Sequence, residues 1–188
     1  MLNYRKLKFL PLLAIVSAIG ITGCVPKSFF TTETRKTLER DSISLNKLQF
    51  YVDRDVELRR EVSSGNAKVS SGKVVFENGK YVHIIMLKRF TPGVCTKINA
   101  NSIEVSFEVG DGKTLTFGVS AVASPGETYR LFANEWINQE VGKIGKIKYD
   151  NETYYIQAGG EGARLMINKS VLDHMRVEAK TMSGVKVQ

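Results

Sequence analysis

The sequence predicts an all-β protein, a single antiparallel sandwich or barrel of roughly nine to eleven strands. Three observations carry this. From residue 43 onward apolar and polar residues alternate, the period-two spacing of a half-buried strand whose successive side chains face opposite ways. Turn-forming Asn, Asp and Gly residues recur between the apolar runs, at Asn78-Gly79, Gly110-Asp111-Gly112 and Asp150-Asn151. The 188 residues are 43% hydrophobic and 24% charged, which suffices for one domain with a real core without disulfide staples. This composition excludes a wholly disordered chain, and a single apolar run longer than a strand argues against a polytopic membrane protein.

In chain order, Leu48, Phe50 and Val52 alternate with Lys47, Gln49 and Tyr51, and Val56, Leu58, Arg60 and Val62 follow. A hairpin joins Lys73–Glu77 to Lys80–Leu87 through Asn78-Gly79, the favoured type I′ loop because both central residues need positive φ. Its register sets Glu77 opposite Lys80, Phe76 opposite Tyr81 and Val75 opposite Val82. Residues 81–87 are apolar on both faces, which predicts a central strand covered on both sides. A second hairpin joins Ser102–Val109 to Lys113–Val119. A three-residue Gly110-Asp111-Gly112 loop would pair Phe107 with Leu115 and Val105 with Phe117, with Gly112 left-handed. A third joins Ile144–Tyr149 to Glu152–Gln157 and sets Ile147 against Tyr154 and Lys146 against Tyr155. Further strands are expected at 67–70, 93–98, 128–133, 163–168 and 175–180. Residues Asn134–Gly142, around Trp136, break the alternation and read as a loop or short helix.

Chemical signatures are sparse. There are two histidines, His83 and His174, and no H-x-H, C-x-x-C or H-E-x-x-H spacing that would assemble three or four metal ligands. No G-x-S-x-G elbow marks a serine nucleophile. Gly159-Gly160-Glu161-Gly162 lacks the Lys and following helix of a phosphate loop and reads as a turn. Glu104 and Glu108, four apart on one strand, would stand ~13 Å apart, too far for a glycosidase pair. His83 reads as a satisfied, half-buried histidine and Cys95 as a buried, inert thiol. No catalytic residue, metal site or cofactor is therefore assigned. The ligand-binding candidates are Trp136, Tyr154, Tyr155 and Asn134, where an aromatic platform beside an amide would stack a sugar or a peptide. Core or cross-strand packing of the same rings is the competing reading.

The N-terminus carries an address. Arg5, Lys6 and Lys8 precede an apolar run from Phe9 to Ile21, shorter than the ~20 residues a membrane span needs and suited to a signal-peptide core. Ile21-Thr22-Gly23-Cys24 follows. This tetrapeptide resembles the lipobox of bacterial lipoproteins. The resemblance implies cleavage after Gly23, a diacylglyceryl group on the Cys24 thiol, acylation of the new amine and a lipid bilayer as first partner. It also implies a division into a signal peptide at 1–23, a lipidated Cys24 with polar tether to residue 42, and a β-rich domain at 43–188. As a tether, residues 25–41 would reach ~55–60 Å, or Thr32 to Arg40 would form two helical turns, with Glu33 early and Arg40 late. Val25, and not Asp, follows Cys24, and by the enterobacterial sorting pattern that implies the outer membrane facing the periplasm. The cell surface is the alternative.

Loss of residues 1–23 takes Lys+Arg from 27 to 24 against 19 Asp+Glu, so the net charge falls from +8 to +5. That mild excess is no nucleic-acid footprint. Asp41-Ser42-Ile43 resembles a short Bacteroidota O-glycosylation motif, and residues 43–188 resemble the small lipoproteins of that phylum in architecture, which implies no activity. The expected function is a lipid-anchored, non-enzymatic β-domain that binds an envelope component, such as a glycan, or a protein partner. The alternatives are an envelope hydrolase with a site assembled from distant strands, and a structural subunit of an outer-membrane assembly.

Overall fold

The computed structural model describes residues 25–63, 72–140 and 142–177. The expected signal peptide, Cys24 and the strand expected at 67–70 lie outside them. Two antiparallel sheets pack as a sandwich, and no barrel closes. The first sheet has seven strands in the order β1 (Lys27–Phe29), β13 (Leu165–Asn168), β2 (Gln49–Val52), β6 (Pro92–Ile98), β7 (Ser102–Ser106), β8 (Thr114–Gly118), β9 (Arg130–Leu131). The second has six, in the order β10 (Glu135–Gln139), β11 (Gly142–Tyr149), β12 (Glu152–Ile156), β3 (Val56–Val62), β5 (Lys80–Leu87), β4 (Lys73–Glu77). Thirteen strands among the described residues exceed the nine to eleven expected. Short β1 and β10 lie where no strand was read. The chain crosses between sheets after β2, β5, β9 and β12. Phe50, Val52, Leu58, Ile103, Phe117 and Ile156 are among the buried side chains between the sheets.

The segment read as a polar tether belongs to the fold. Lys27–Phe29 pairs with β13, and helix α1 (Thr32–Arg40) follows, with the Thr31 hydroxyl accepting the Thr34 N–H at 3.1 Å as its cap. Phe30 and Leu38 are fully buried. Composition misled here because two apolar side chains, each placed in the core, suffice to dock a polar stretch. Three main-chain bonds then form a closed cycle: Phe30 N–H donates to Leu165 O at 2.9 Å, Leu165 N–H to Tyr129 O at 2.9 Å, and Tyr129 N–H to Phe30 O at 3.0 Å. The Phe30 ring lies 4.8 Å from that of Tyr129 and 5.2 Å from that of Phe50.

The first hairpin forms in the expected register, with Asn78 and Gly79 both at positive φ. The third does too, with Asp150 and Asn151 left-handed. The second slips by two residues: Val105 meets Leu115 and Ile103 meets Phe117. A two-residue slip keeps every side chain on its own face. The ladder stops at Ser106, whose hydroxyl bonds the carbonyls of Glu108 (2.6 Å) and Lys113 (3.1 Å) and so holds open a longer loop. Gly112 is left-handed as expected, at φ 75°. Strand β5 lies inside its sheet, but only one face is covered: His83 and Leu87 are buried, whereas Met86 on the outer face is 41% exposed. Residues 135–139 form β10 and not a loop or helix. The strand expected at 175–180 is displaced by helix α2 (Lys169–Val177) as far as the described residues run.

Two polar features lock the sandwich. Arg164 grips Asp53 through its backbone N–H and its guanidinium, each at 2.8 Å, and its guanidinium lies 4.0 Å from the centre of the Phe29 ring. Burial pulls the Asp53 carboxyl upward, but the Arg164 bonds and the Arg54 charge outweigh it, and its pKa falls below the ordinary value of 3.8. The second feature is the turn after β5. Asp55 accepts the Arg89 N–H at 2.7 Å, Phe90 N–H donates to Val52 O at 2.9 Å, and Thr91 N–H to Lys88 O at 3.1 Å. Phe90 is thereby held at φ 64°, a place that suits glycine and costs a bulky residue about 1–2 kcal/mol.

Two predictions follow from this packing. Phe30→Ala is expected to cost about 3–5 kcal/mol in chemical denaturation, whereas a tether residue would be silent. Asp53→Asn should lower stability at neutral pH by about 3 kcal/mol. Because the native pKa of Asp53 is depressed, its stabilisation is present above its unfolded value of 3.8 and is lost as pH falls through the native value. The wild-type protein should therefore lose more stability on acidification below that value than the variant does. Equal acid dependence of the two proteins would contradict this assignment.

Candidate binding groove on the outer face of the second sheet

The outer face of the second sheet follows from strand alternation. One cross-strand row runs Glu135, Lys146, Tyr155, Arg59, Ile84, Lys73 over all six strands. Beside this row opens a groove of about 920 Å³. Tyr155, Ile137, Ile144 and Val82 give it an apolar surface, and Gln139 and Gln157 add amides. Tyr155 is 38% exposed and Ile137 41%.

The charged walls are paired. Arg59 donates to Glu57 and, at 2.8 Å, to Glu77, and Lys80 reaches both oxygens of Glu61 at 2.8 and 2.9 Å. The Glu57 bond holds the Arg59 guanidinium more firmly protonated than usual. The walls are thus locked across β3, β4 and β5. A half-exposed ring flanked by amides and isoleucines can stack on a flat apolar face while the amides bond its polar edge.

The four sequence candidates separate. Tyr155 lines the groove. Tyr154 points the other way and is buried, its hydroxyl 2.7 Å from His83 Nδ1; neighbours in a strand cannot share a face. Trp136 also faces away from the groove. It covers Gly145, where an added Cβ would come within 2.6 Å of the indole, and with Asn138 it borders a separate recess of about 640 Å³. Asn134 is exposed, and its N–H bonds Lys146 O at 2.9 Å. The single aromatic platform therefore does not form. Arg59 escapes the sequence because β12 and β3 are neighbours only in the folded sheet, and Ile137 because residues 134–142 read as a loop or short helix and not as β10.

His83, Cys95, Glu104 and Glu108 do not line the groove. His83 is 3% exposed and bonded within the core, and a side chain at Gly72 would strike its ring. His174 lies in α2. Cys95 is buried, bonds Lys97 O at 3.5 Å, and burial pushes its thiol pKa up. Glu104 pairs with Lys97 at 3.2 Å on the outer face of the first sheet. Glu108 leaves that face once the ladder ends. It accepts the Tyr149 hydroxyl from the second sheet, with Lys113 Nζ 3.3 Å from its other oxygen. The two hairpin loops also meet, Asp150 N–H donating to Gly112 O at 2.9 Å. Among the described residues no three His, Cys, Asp or Glu side chains gather as a metal-ligand set, and no helix there is long and apolar enough to cross a membrane.

No protein-family model, no curated protein and no solved structure matches this chain.

Burial, then the Glu108 bond, raises the Tyr149 phenol above its ordinary pKa of 10.0. In an alkaline absorbance titration, Tyr149→Phe should leave the ionisation amplitude around that value unchanged. It should still cost about 1–2 kcal/mol of stability through the lost bond to the half-buried Glu108 carboxylate. A lost share of the amplitude in the variant would show that Tyr149 titrates normally.

Proposed function

We propose that this is a lipid-anchored cell-envelope protein whose β-sandwich binds an envelope component or protein partner without catalysing a reaction. The observation that carries the anchor is Ile21-Thr22-Gly23-Cys24 placed directly behind a basic segment and a short apolar run. Acyl chains on Cys24 add about 0.8 kcal/mol per buried CH₂, and two or three chains give a firm anchor where one does not. Binding is assigned to the Tyr155 groove because it combines an accessible aromatic ring with amides between locked walls. The outer membrane facing the periplasm is the proposed location, with the cell surface as alternative.

A second reading is favoured by one observation. Among the described residues strand β4 ends the second sheet, and Phe76 on it is 65% exposed, its ring centre 5.0 Å from that of Tyr81 and tilted by 57°. An aromatic pair at a sheet's outer strand suits a subunit that packs against a neighbouring protein.

Cys24→Ala is expected to abolish processing and acyl labelling; unchanged labelling and mobility would end the lipoprotein reading. Photo-crosslinkers placed in cells at Gln157 and at Phe76 separate the two binding sites, with exposed Val122 as control. A discrete adduct from Gln157 alone supports the groove. One from Phe76 alone supports the subunit reading, and adducts no different from Val122 would reject both.

A further inference from the structure

The docking of residues 27–40 changes where the domain stands relative to its anchor. Only Val25 and Pro26 separate Cys24 from β1. The Cys24 Cα is thus within about 11 Å of the Lys27 Cα, at ~3.3–3.6 Å per residue. The anchor leaves no room for a domain held far above the bilayer. The surface around Lys27 must stand at the level of the lipid headgroups.

That surface has the composition the interface requires. Lys27 and Tyr51 lie on the outer face of the first sheet, and the Lys27 ammonium is 4.4 Å from the Tyr51 ring centre and 4.9 Å from that of Phe90. The Arg89 guanidinium lies 4.3 Å from the centre of the Phe90 ring. Phe90 is 39% exposed at a turn tip, in the left-handed conformation that suits glycine. Val94, also outward, is 49% exposed. Cations set against half-exposed aromatic rings suit the boundary between acyl chains and anionic headgroups, where rings take the apolar side and ammonium or guanidinium groups take phosphate.

We propose that Lys27, Tyr51, Arg89 and Phe90 form a bilayer-docking face that rests on anionic lipid headgroups beside the acylated Cys24. This rests on the lipid-anchor reading of Cys24. The strained Phe90 then has a use, as the apolar tip that enters the interface. Because the two sheets pack inner face to inner face, the Tyr155 groove opens on the opposite side and points away from the bilayer. Anchor, docking face and groove are thereby arranged along one axis through the sandwich.

The test uses the lipidated full-length protein in vesicles of phosphatidylethanolamine and phosphatidylglycerol. An environment-sensitive fluorophore is attached at Phe90→Cys, at Val94→Cys, or at the control Val122→Cys; the native Cys95 is buried. Intact mass reports Cys24 acylation separately. The expected result is a blue shift and quenching by acyl-chain nitroxides at least two-fold stronger at 90 and 94 than at 122. Lys27→Glu combined with Arg89→Glu should reduce the quenching at 94 at least two-fold, whereas Lys148→Glu on the far sheet should not. An acylated protein whose labels at 90 and 94 behave like that at 122 overturns the docking face and leaves the anchor standing. Absence of the acyl mass overturns the anchor, and the face with it. The Val94 label keeps the test valid if Phe90→Cys disturbs its turn.

Discussion

The cycle of main-chain bonds among Phe30, Tyr129 and Leu165 is the constraint on which the rest of the architecture depends. It joins three segments that are far apart in sequence. Each of the three residues is buried, so each bond is shielded from competing water. The cycle ties β1 and α1 to the body of the sandwich and brings the β9 segment back toward β13. Asp53 and Arg164 reinforce the same corner with a charged grip just before β13.

The sandwich divides its labour by face. Between the sheets lie the aliphatic core and a few satisfied polar groups, including His83 with Tyr154 and Glu108 with Tyr149. The latter bond crosses from one sheet to the other, and the docked loops at Gly112 and Asp150 add a main-chain link at the same end. Polar groups so placed orient the two layers, since a slip of either sheet would strand the buried Tyr149 phenol. The outer faces are then free to differ, one carrying cations over aromatic rings and the other a groove with paired charges on its walls.

Local rules performed well where the relevant contact was local. The Asn78-Gly79 and Asp150-Asn151 turns fixed their registers because the turn residues and both strands are contiguous, and the helix limits of Thr32 to Arg40 followed from charge placement at its two ends. The second hairpin slipped because Ser106 found bonding partners in its own loop and Glu108 found one in the other sheet. Residues 25–41 were misjudged for a related reason: Phe30 and Leu38 are few, and their value lies in distant partners. Of the site candidates, Tyr155 was legible as an aromatic on a strand. Its groove neighbours Arg59 and Val82 were not, because their proximity depends on strand order.

By itself the sequence determined the fold class, the faces of most strands and the two tight hairpins, because these depend on period and turn chemistry. The tertiary structure alone decided which strands are neighbours, that Lys27–Phe29 and Thr32–Arg40 pack into the fold, and which aromatic faces solvent. The reason is that burial is a property of the assembled layers. Tyr154 and Tyr155 are alike in chemistry and adjacent in the chain, and only the packing of the first sheet against one face of β12 makes one a core residue and leaves the other lining a groove.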